Sequence, residues 1–321
     1  MVDLSVVVPV YGCRDCLGAL HQRLTAVLAS LTDSYEIVLV DDRSPDAAWT
    51  VISYLVDRDP HVRALRFSRN FGQHAAITAG IAHSDGLWTV VMDCDLEDPP
   101  EAIARLYATA QEGHPLVLAR RVERTHSRFR RTAAHAYMRV LNTFIGTRLN
   151  GEFGTFSILS RTVRDAYLSL GEQDRHYMFI LNWLGFEPGV IEVAQEQRFA
   201  GRSSYTLRRL VSHALEGVFF QTATVLVWII YFGFALAFGG GVLAVYYVYV
   251  SRVGSPPPGW TSLSVLLLII GGFIISSTGV TGLYIAKVFQ QVKDRPLYVV
   301  ESTREATSMP SVRVHRAERV P

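Results

Sequence analysis

The chain has 321 residues, 49% of them hydrophobic, which suits one large domain or two smaller ones and supplies enough apolar material for a sizeable core. A formal net charge of +2 decides little and gives no ground for a nucleic-acid partner, although Arg and Lys crowd into 120–131, 198–209 and 287–295 and so suggest anionic ligands. No secretory signal is expected, because Asp3 interrupts an opening apolar run of only a few residues, and the N-terminal part is expected to stay in the cytosol.

Short β-rich runs at 3–10, 35–41, 62–67 and 87–92 each precede a helix-like segment. Strands alternating with helices predict a parallel sheet whose ligands bind at the carboxyl ends of the strands. After the first run come Cys13 and Cys16, spaced C-x-x-C as in thioredoxin-like motifs. In a cytosolic compartment they read as two reduced, partly buried thiols at a helix start rather than a redox pair. After the second run stand Asp41 and Asp42. Either a carboxylate there accepts hydrogen bonds from a nucleotide's base or ribose, or Asp42 or Ser44 caps a helix beginning at Pro45; both can hold, with Asp41 the stronger candidate for a ligand. No Gly-x-Gly-x-x-Gly or Gly-Lys-Ser/Thr loop follows the first run, which argues against a dinucleotide enzyme or a P-loop ATPase.

The fourth run leads into "MDCDLEDPPE", residues 92–101. If the strand continues, Asp93, Asp95 and Glu97 share one face while Cys94 and Leu96 turn into the core. Three carboxylates together repel one another, a conflict that a divalent cation removes, and hard oxygen ligands favour Mg²⁺ or Mn²⁺. Asp98, Pro99, Pro100 and Glu101 read instead as a helix N-cap, a proline at the first helical position and a capping-box acid.

Beyond Val117 the pattern predicts an Arg-rich helix at 126–144, a strand near 153–159, two helices across 161–184 and a strand near 190–195. Residues 204–221 carry apolar side chains at helical spacing and read as an amphipathic helix lying on a membrane surface. The stretches 217–251 and 253–286 contain no Asp, Glu, Lys or Arg, and Arg252 stands between them. Each can hold the roughly 20 apolar residues that span a bilayer. Two transmembrane helices are expected at about 223–250 and 263–286. Basic residues flank one side of the pair, so both termini are expected in the cytosol. "RPLYVV" (295–300) reads as an extended segment, and the polar tail beyond Ser302 as disordered.

Taken together, "SVVVPVY" (5–11), "VDDRSPD" (40–46), "SRNFGQHAAITAG" (68–80), "MDCDLEDPPE" (92–101) and "RFAGRSSYTLRRL" (198–210) resemble the ordered motifs of family 2, GT-A-fold glycosyltransferases. More narrowly the chain resembles the polyprenyl-phosphate glycosyltransferases, including the dolichyl-phosphate mannose synthase and GtrB-like enzymes. The resemblance covers roughly residues 3–300 and implies a Rossmann-like, mainly parallel α/β domain (1–203). It also implies a surface helix (204–221), two transmembrane helices (222–288) and a cytosolic C-terminal segment (289–321). It implies transfer of one sugar, with inversion, from a UDP-, GDP- or dTDP-linked donor to a polyprenyl phosphate at the cytosolic face of the inner or plasma membrane. Homo-oligomers are implied as well.

The resemblance also assigns residues. Pro9, Tyr11, Asp41 and Asp42 would line the nucleotide pocket, and Arg69 and Asn70 would join in binding substrate. Asp93, Asp95 and Glu97 would hold Mg²⁺ or Mn²⁺ on the donor diphosphate. Arg198, with Ser203, would bind phosphate together with some of Arg120, Arg121, Arg128 and Arg131, and Asp95 and Arg198 would carry the catalysis. Many relatives have Gly-Asp-Phe-Arg where this chain has "GTFS" (154–157), so Thr155 and Ser157 replace an acid and a base. For a lipid phosphate the loss matters less than for a sugar hydroxyl, because a phosphate with its second pKa near 6 is already an anion at neutral pH. "QEQRF" (195–199) echoes the Gln-x-x-Arg-Trp motif of processive polysaccharide synthases, but Phe199 breaks it and two spans are few for a channel. A catalytically silent membrane adaptor of the same fold is the rival from another class.

Overall fold

The computed structural model describes residues 2–122, 153–173, 175–196 and 260–305, with scattered positions between 229 and 253. The chain divides into two compact units, one of residues 1–134, 149–203 and 295–321, the other of 135–148 and 204–294.

In the first unit the predicted βα alternation forms. Strand β1 (Leu4–Val10), helix α1 (Leu17–Leu31), β2 (Tyr35–Asp41), α2 (Ala48–Arg58), β3 (Val62–Phe67), α3 (Gln73–Ala82) and β4 (Trp88–Val91) follow in order. They are continued by α4 (Ile103–Gln111), β5 (Leu116–Val122), β6 (Phe153–Ser160), α5 (Arg161–Ser169), α6 (Tyr177–Trp183) and β7 (Gly189–Ala194). The last strand, β8 (Val300–Arg304), follows far along the chain. All eight strands join one sheet in the order β7-β5-β6-β4-β1-β2-β3-β8. Strands β3, β2, β1 and β4 are mutually parallel, as are β5 and β7, whereas β6 and β8 run antiparallel to their neighbours.

Both faces of the central strands are covered, and every residue of β1 and β2 is buried. That is why these strands read as continuous apolar runs rather than as alternations. On one face Leu4, Val6, Val8 and Val10 pack with Leu17, Leu20, Leu24 and Leu28, the buried stripe of α1. On the other, Val7 and Val40 pack beneath α3, whose residues Ala76 to Ile81 are all buried. The approach is tightest at Gly80, where a Cβ would fall 2.2 Å from Val7 Cγ1. Each fully buried Val or Leu contributes about 1.5–3 kcal/mol by leaving water.

Three expectations need correction. Strand β4 stops at Val91, so the acids that follow do not lie on an extended strand. The helix after β2 starts at Ala48 rather than Pro45; Asp46 accepts the Ala48 N–H at 3.2 Å, and neither Asp42 nor Ser44 caps it. The C-terminal strand runs from Val300 to Arg304, beyond the point where the tail was expected to lose order, because the exposed edge of β3 offers it a ladder.

In the second unit one helix, α7, spans Trp260–Val292, 33 residues or about 50 Å. Among the described residues no helix is long and apolar enough to cross a membrane; several side chains of α7 fall outside the description. The expected Arg-rich helix, the amphipathic helix at 204–221 and most of the first span also lie outside the described residues.

Candidate active site

The carboxyl ends of β1, β2, β3 and β4 are adjacent because those strands are neighbours in the sheet. Their loops therefore meet, and most of the described candidate residues sit on or beside them. Beyond β4 the chain turns at once, and Leu96 takes a left-handed conformation with φ of 61°. Asp93 faces two donors, Gln73 Nε2 at 2.7 Å and Thr155 Oγ1 at 3.0 Å, both on Oδ1. Arg121 Nη2 lies 4.0 Å from the other oxygen. Asp95 accepts the Glu97 N–H at 3.2 Å, and Glu97 accepts from Gln195 Nε2 at 3.4 Å. Among the described residues no three His, Cys, Asp or Glu side chains close around one point.

Burial, reinforced by the charge of Asp95, pushes the Asp93 carboxyl up to about 6, against the opposing pull of the Thr155 hydroxyl and Arg121. A quarter of the Asp93 side chain is open to solvent. A strained like-charge pair of hard oxygen donors, reachable from outside, is the donor set that suits Mg²⁺ or Mn²⁺. Asp93 and Asp95 thus fit a divalent cation, with Glu97 close by in the chain.

Asp98 has another task than the capping expected of it. Its side chain is buried and takes a 2.8 Å ion pair from Arg121 Nη2, while Glu101 pairs with Arg23. No capping box forms: the 3-10 turn Pro100–Ala102 starts after Pro99, which supplies no side-chain cap. Burial works against the charge of Arg121, but the bond to Asp98 and the charges of Asp98, Asp93 and Glu97 together outweigh it and hold the guanidinium above the usual arginine range. Arg120 instead pairs with Glu192 on the neighbouring β7.

At the end of β2 the two aspartates diverge. Asp41 is wholly buried, and its Oδ1 accepts the Ser44 N–H at 2.8 Å. Its Oδ2 lies 3.3 Å from Arg66 Nε, yet neither atom has a hydrogen-bond partner. Asp42 reaches across to the loop before α3, accepting from Phe71 N at 2.6 Å and Gly72 N at 2.9 Å. Burial raises both carboxyls above their ordinary value in spite of these bonds. Gly72 has φ of 97°, which a side chain would disfavour, and this turn sends Gln73 toward Asp93. Pro9 is buried in β1 opposite Val40, whereas Tyr11, just past the strand, is half exposed. Arg69 stacks its guanidinium 4.2 Å from the Phe71 ring and reaches the Asn70 carbonyl at 3.5 Å.

The cysteines correct another expectation. Cys13 is joined to Cys94 by a disulfide, and Cys16, buried, lies outside the bridge. The C-x-x-C spacing misleads here: β1 pairs with β4, so the loop after one runs beside the loop after the other. The bridge fastens the segment next to Tyr11 to the acidic segment.

Arg128, Arg131, Arg198 and Ser203 lie outside the described residues. Of the departures noted in the sequence, Thr155 stands beside Asp93, and Ser157 is buried against Tyr177 Oη at 2.8 Å. Sequence reasoning missed Gln73 and Arg66. Gln73 lies inside a recognised motif, but only the turn at Gly72 reveals its target; Arg66, alternating with apolar neighbours, reads as an ordinary strand residue.

A family model for Glycosyl transferase family 2 matches residues 5–168. The chain is 31% identical over 305 residues to the "Uncharacterized glycosyltransferase YkcC" of Bacillus subtilis (strain 168), covering 94% of each. It is 32% identical over 305 residues to the "Bactoprenol glucosyl transferase" of Shigella phage SfII, covering 94% of this chain and 98% of that one. The "Undecaprenyl-phosphate 4-deoxy-4-formamido-L-arabinose transferase" of Yersinia pestis (strain Pestoides F) is 32% identical over 309 residues, covering 93% and 92%. With that match over half its length and these near full-length relatives, the chain belongs to glycosyl transferase family 2.

Proposed function

We infer that the chain transfers a single sugar, with inversion, from a nucleotide-linked donor to a polyprenyl phosphate at the cytosolic face of a membrane. The observation that carries this reading is identity of 32% along nearly the whole chain to proteins named for transfer to bactoprenol and to undecaprenyl phosphate. A match confined to the sheet domain would support a sugar transferase of any kind; a match that continues through the charge-poor C-terminal half supports a lipid acceptor.

In this reading the nucleotide lies at the ends of β1 and β2, against Pro9, Tyr11, Asp41 and Asp42, and Arg69 and Asn70 border it. Asp93 and Asp95, with Glu97, hold Mg²⁺ or Mn²⁺. When bound, the cation offsets negative charge on the departing nucleoside diphosphate. Gln73 and Thr155 fix the orientation of Asp93 from two sides, so the carboxylate meets its ligand already aligned. Arg198 and Ser203, with some of Arg120, Arg121, Arg128 and Arg131, contribute phosphate binding, and of these Arg121 stands beside Asp93. The acceptor phosphate needs no general base near neutral pH, which accords with a buried Ser157 bonded to Tyr177.

Membrane attachment is part of the same proposal. Residues 260–286 of α7 include no Asp, Glu, Lys or Arg, and charge at mid-bilayer costs about 2.5–3.5 kcal/mol per residue. A soluble donor and a membrane-confined lipid phosphate then meet at one surface. Both termini lie in the cytosol, and copies associate through their spans.

The test uses full-length protein in detergent with polyprenyl phosphate, Mg²⁺ or Mn²⁺, and a panel of UDP-, GDP- and dTDP-sugars, reading lipid-linked sugar by mass. Asp95→Asn should lower transfer by about a hundredfold or more. An Asp95→Asn variant as active as the native enzyme defeats the cation role, and native protein inert across the panel defeats the transferase reading.

A further inference from the structure

Strand β8 closes the edge of the sheet, yet one of its side chains reaches the mouth of the nucleotide pocket. It pairs with β3 at Ala64–Arg304, Leu65–Thr303 and Arg66–Ser302, and the next pair is Phe67–Val300. Glu301 is the residue left over at this register shift. A bulge of this kind re-aims a side chain out of the ladder and is common beside active sites.

The re-aimed carboxylate meets two guanidiniums. Its Oε2 bonds Arg43 Nη1 and lies 3.7 Å from Arg66 Nε. Arg43 directly follows Asp42 and holds a left-handed backbone with φ of 57°, unusual for a non-glycine residue. Arg66 Nε in turn lies 3.3 Å from Asp41 Oδ2, and both of these atoms are buried without a hydrogen-bond partner. Asp41 is closed to solvent while the Arg66 side chain is 29% exposed, so Asp41, fixed by β2, is the anchor, and the outer guanidinium nitrogens of Arg66, steadied from β8, can donate to one edge of a nucleobase.

We propose that Glu301 is a specificity-determining positioning residue: it holds Arg66 beside Asp41 so that the pair selects the base of the donor nucleotide. The proposal rests on the reading of Asp41 as part of the nucleotide pocket. It makes the segment that follows α7 in the chain a contributor to donor choice, although that segment lies more than 250 residues beyond Asp41.

The experiment measures dissociation constants of UDP, GDP, dTDP, CDP and ADP for the full-length protein in Mn²⁺, by calorimetry. All five carry the same diphosphate, so the charge lost in Glu301→Gln cancels in their ratios, whereas lost orientation does not. Selectivity for the preferred base should fall by about fivefold or more in Glu301→Gln, with an unchanged thermal midpoint. Arg66→Ala should lose at least as much, and the double variant no more than Arg66→Ala alone, because Glu301 acts through Arg66. Equal weakening of all five in Glu301→Gln, or no change while Asp41→Asn loses selectivity, overturns the proposal and leaves the nucleotide pocket standing. Selectivity unaffected by Asp41→Asn overturns the pocket reading itself, and with it the proposal.

Discussion

Thr155 donates its hydroxyl to Asp93 across 3.0 Å, tying β6 to the acidic loop after β4. The residue that departs from the family's usual acid at this position therefore touches the carboxylate most strongly perturbed in the site. The contact favours ionised Asp93, and burial with Asp95 opposes it.

Cation binding should follow the ionisation of Asp93. Affinity for Mn²⁺ is expected to fall by about tenfold per pH unit below about 6 and to level off above 7, because cation and proton compete for one carboxylate. Thr155→Ala removes a bond to the ionised form and should move the midpoint upward. Titration of Mn²⁺ binding between pH 5 and 8 checks both, and a midpoint below 5 in the native protein contradicts the assignment.

The same shift has a sign for stability. A carboxyl whose pKa rises from 3.8 to about 6 on folding favours the native state most below pH 3.8, and that contribution disappears as the pH climbs through 6. Cation-free protein should lose up to about 3 kcal/mol from this group over the interval. Asp93→Asn should flatten that part of a urea-denaturation profile against pH.

Arg121 neutralises a carboxylate that has almost no access to water. Arg121→Ala leaves the Asp98 charge buried and unpaired, and should destabilise the protein by about 3–5 kcal/mol. Adding Asp98→Asn should recover part of the loss. Equal stability of the single and double variants would show that the pair is not the source.

Gly80→Ala tests the tightest contact between α3 and the sheet. Its methyl would collide with Val7 Cγ1, so a loss of about 1–3 kcal/mol is expected. Val7→Ala in the same chain makes room, and the double variant should lose less than the sum of the two single changes.

The disulfide predicts a thiol count. Denatured without reductant, the chain should present one reactive thiol, Cys16, and after reduction three. Cys94→Ser should lower stability by about 2–4 kcal/mol, since the bridge closes a loop of 81 residues.

Much of this arrangement was legible in the residues. The apolar runs ending in Asp41 and before Asp93 located strands whose carboxyl ends carry acids, although the second of these strands stops at Val91 instead of running on through the acids. The order of motifs from Ser5 to Leu210 led to the family. Less legible were contacts between strand-end loops. Asp98 resembles a helix cap in sequence because caps are recognised by local spacing, yet its partner Arg121 is on β5. Cys13 reads as half of a local pair with Cys16, yet its partner lies beyond another strand.

The parallel βα core, the clustering of acids at strand ends and the charge-free length of residues 260–286 follow from the residues alone. Each is a local property: side-chain period, composition and the need to bury apolar surface. That Thr155 and Gln73 meet at Asp93, that Cys13 finds Cys94, and that Glu301 reaches Arg43 and Arg66 emerges only once the chain is folded. Those meetings depend on which strands become neighbours and in what register, and that is fixed by packing summed over the whole sheet rather than by any short stretch of chain.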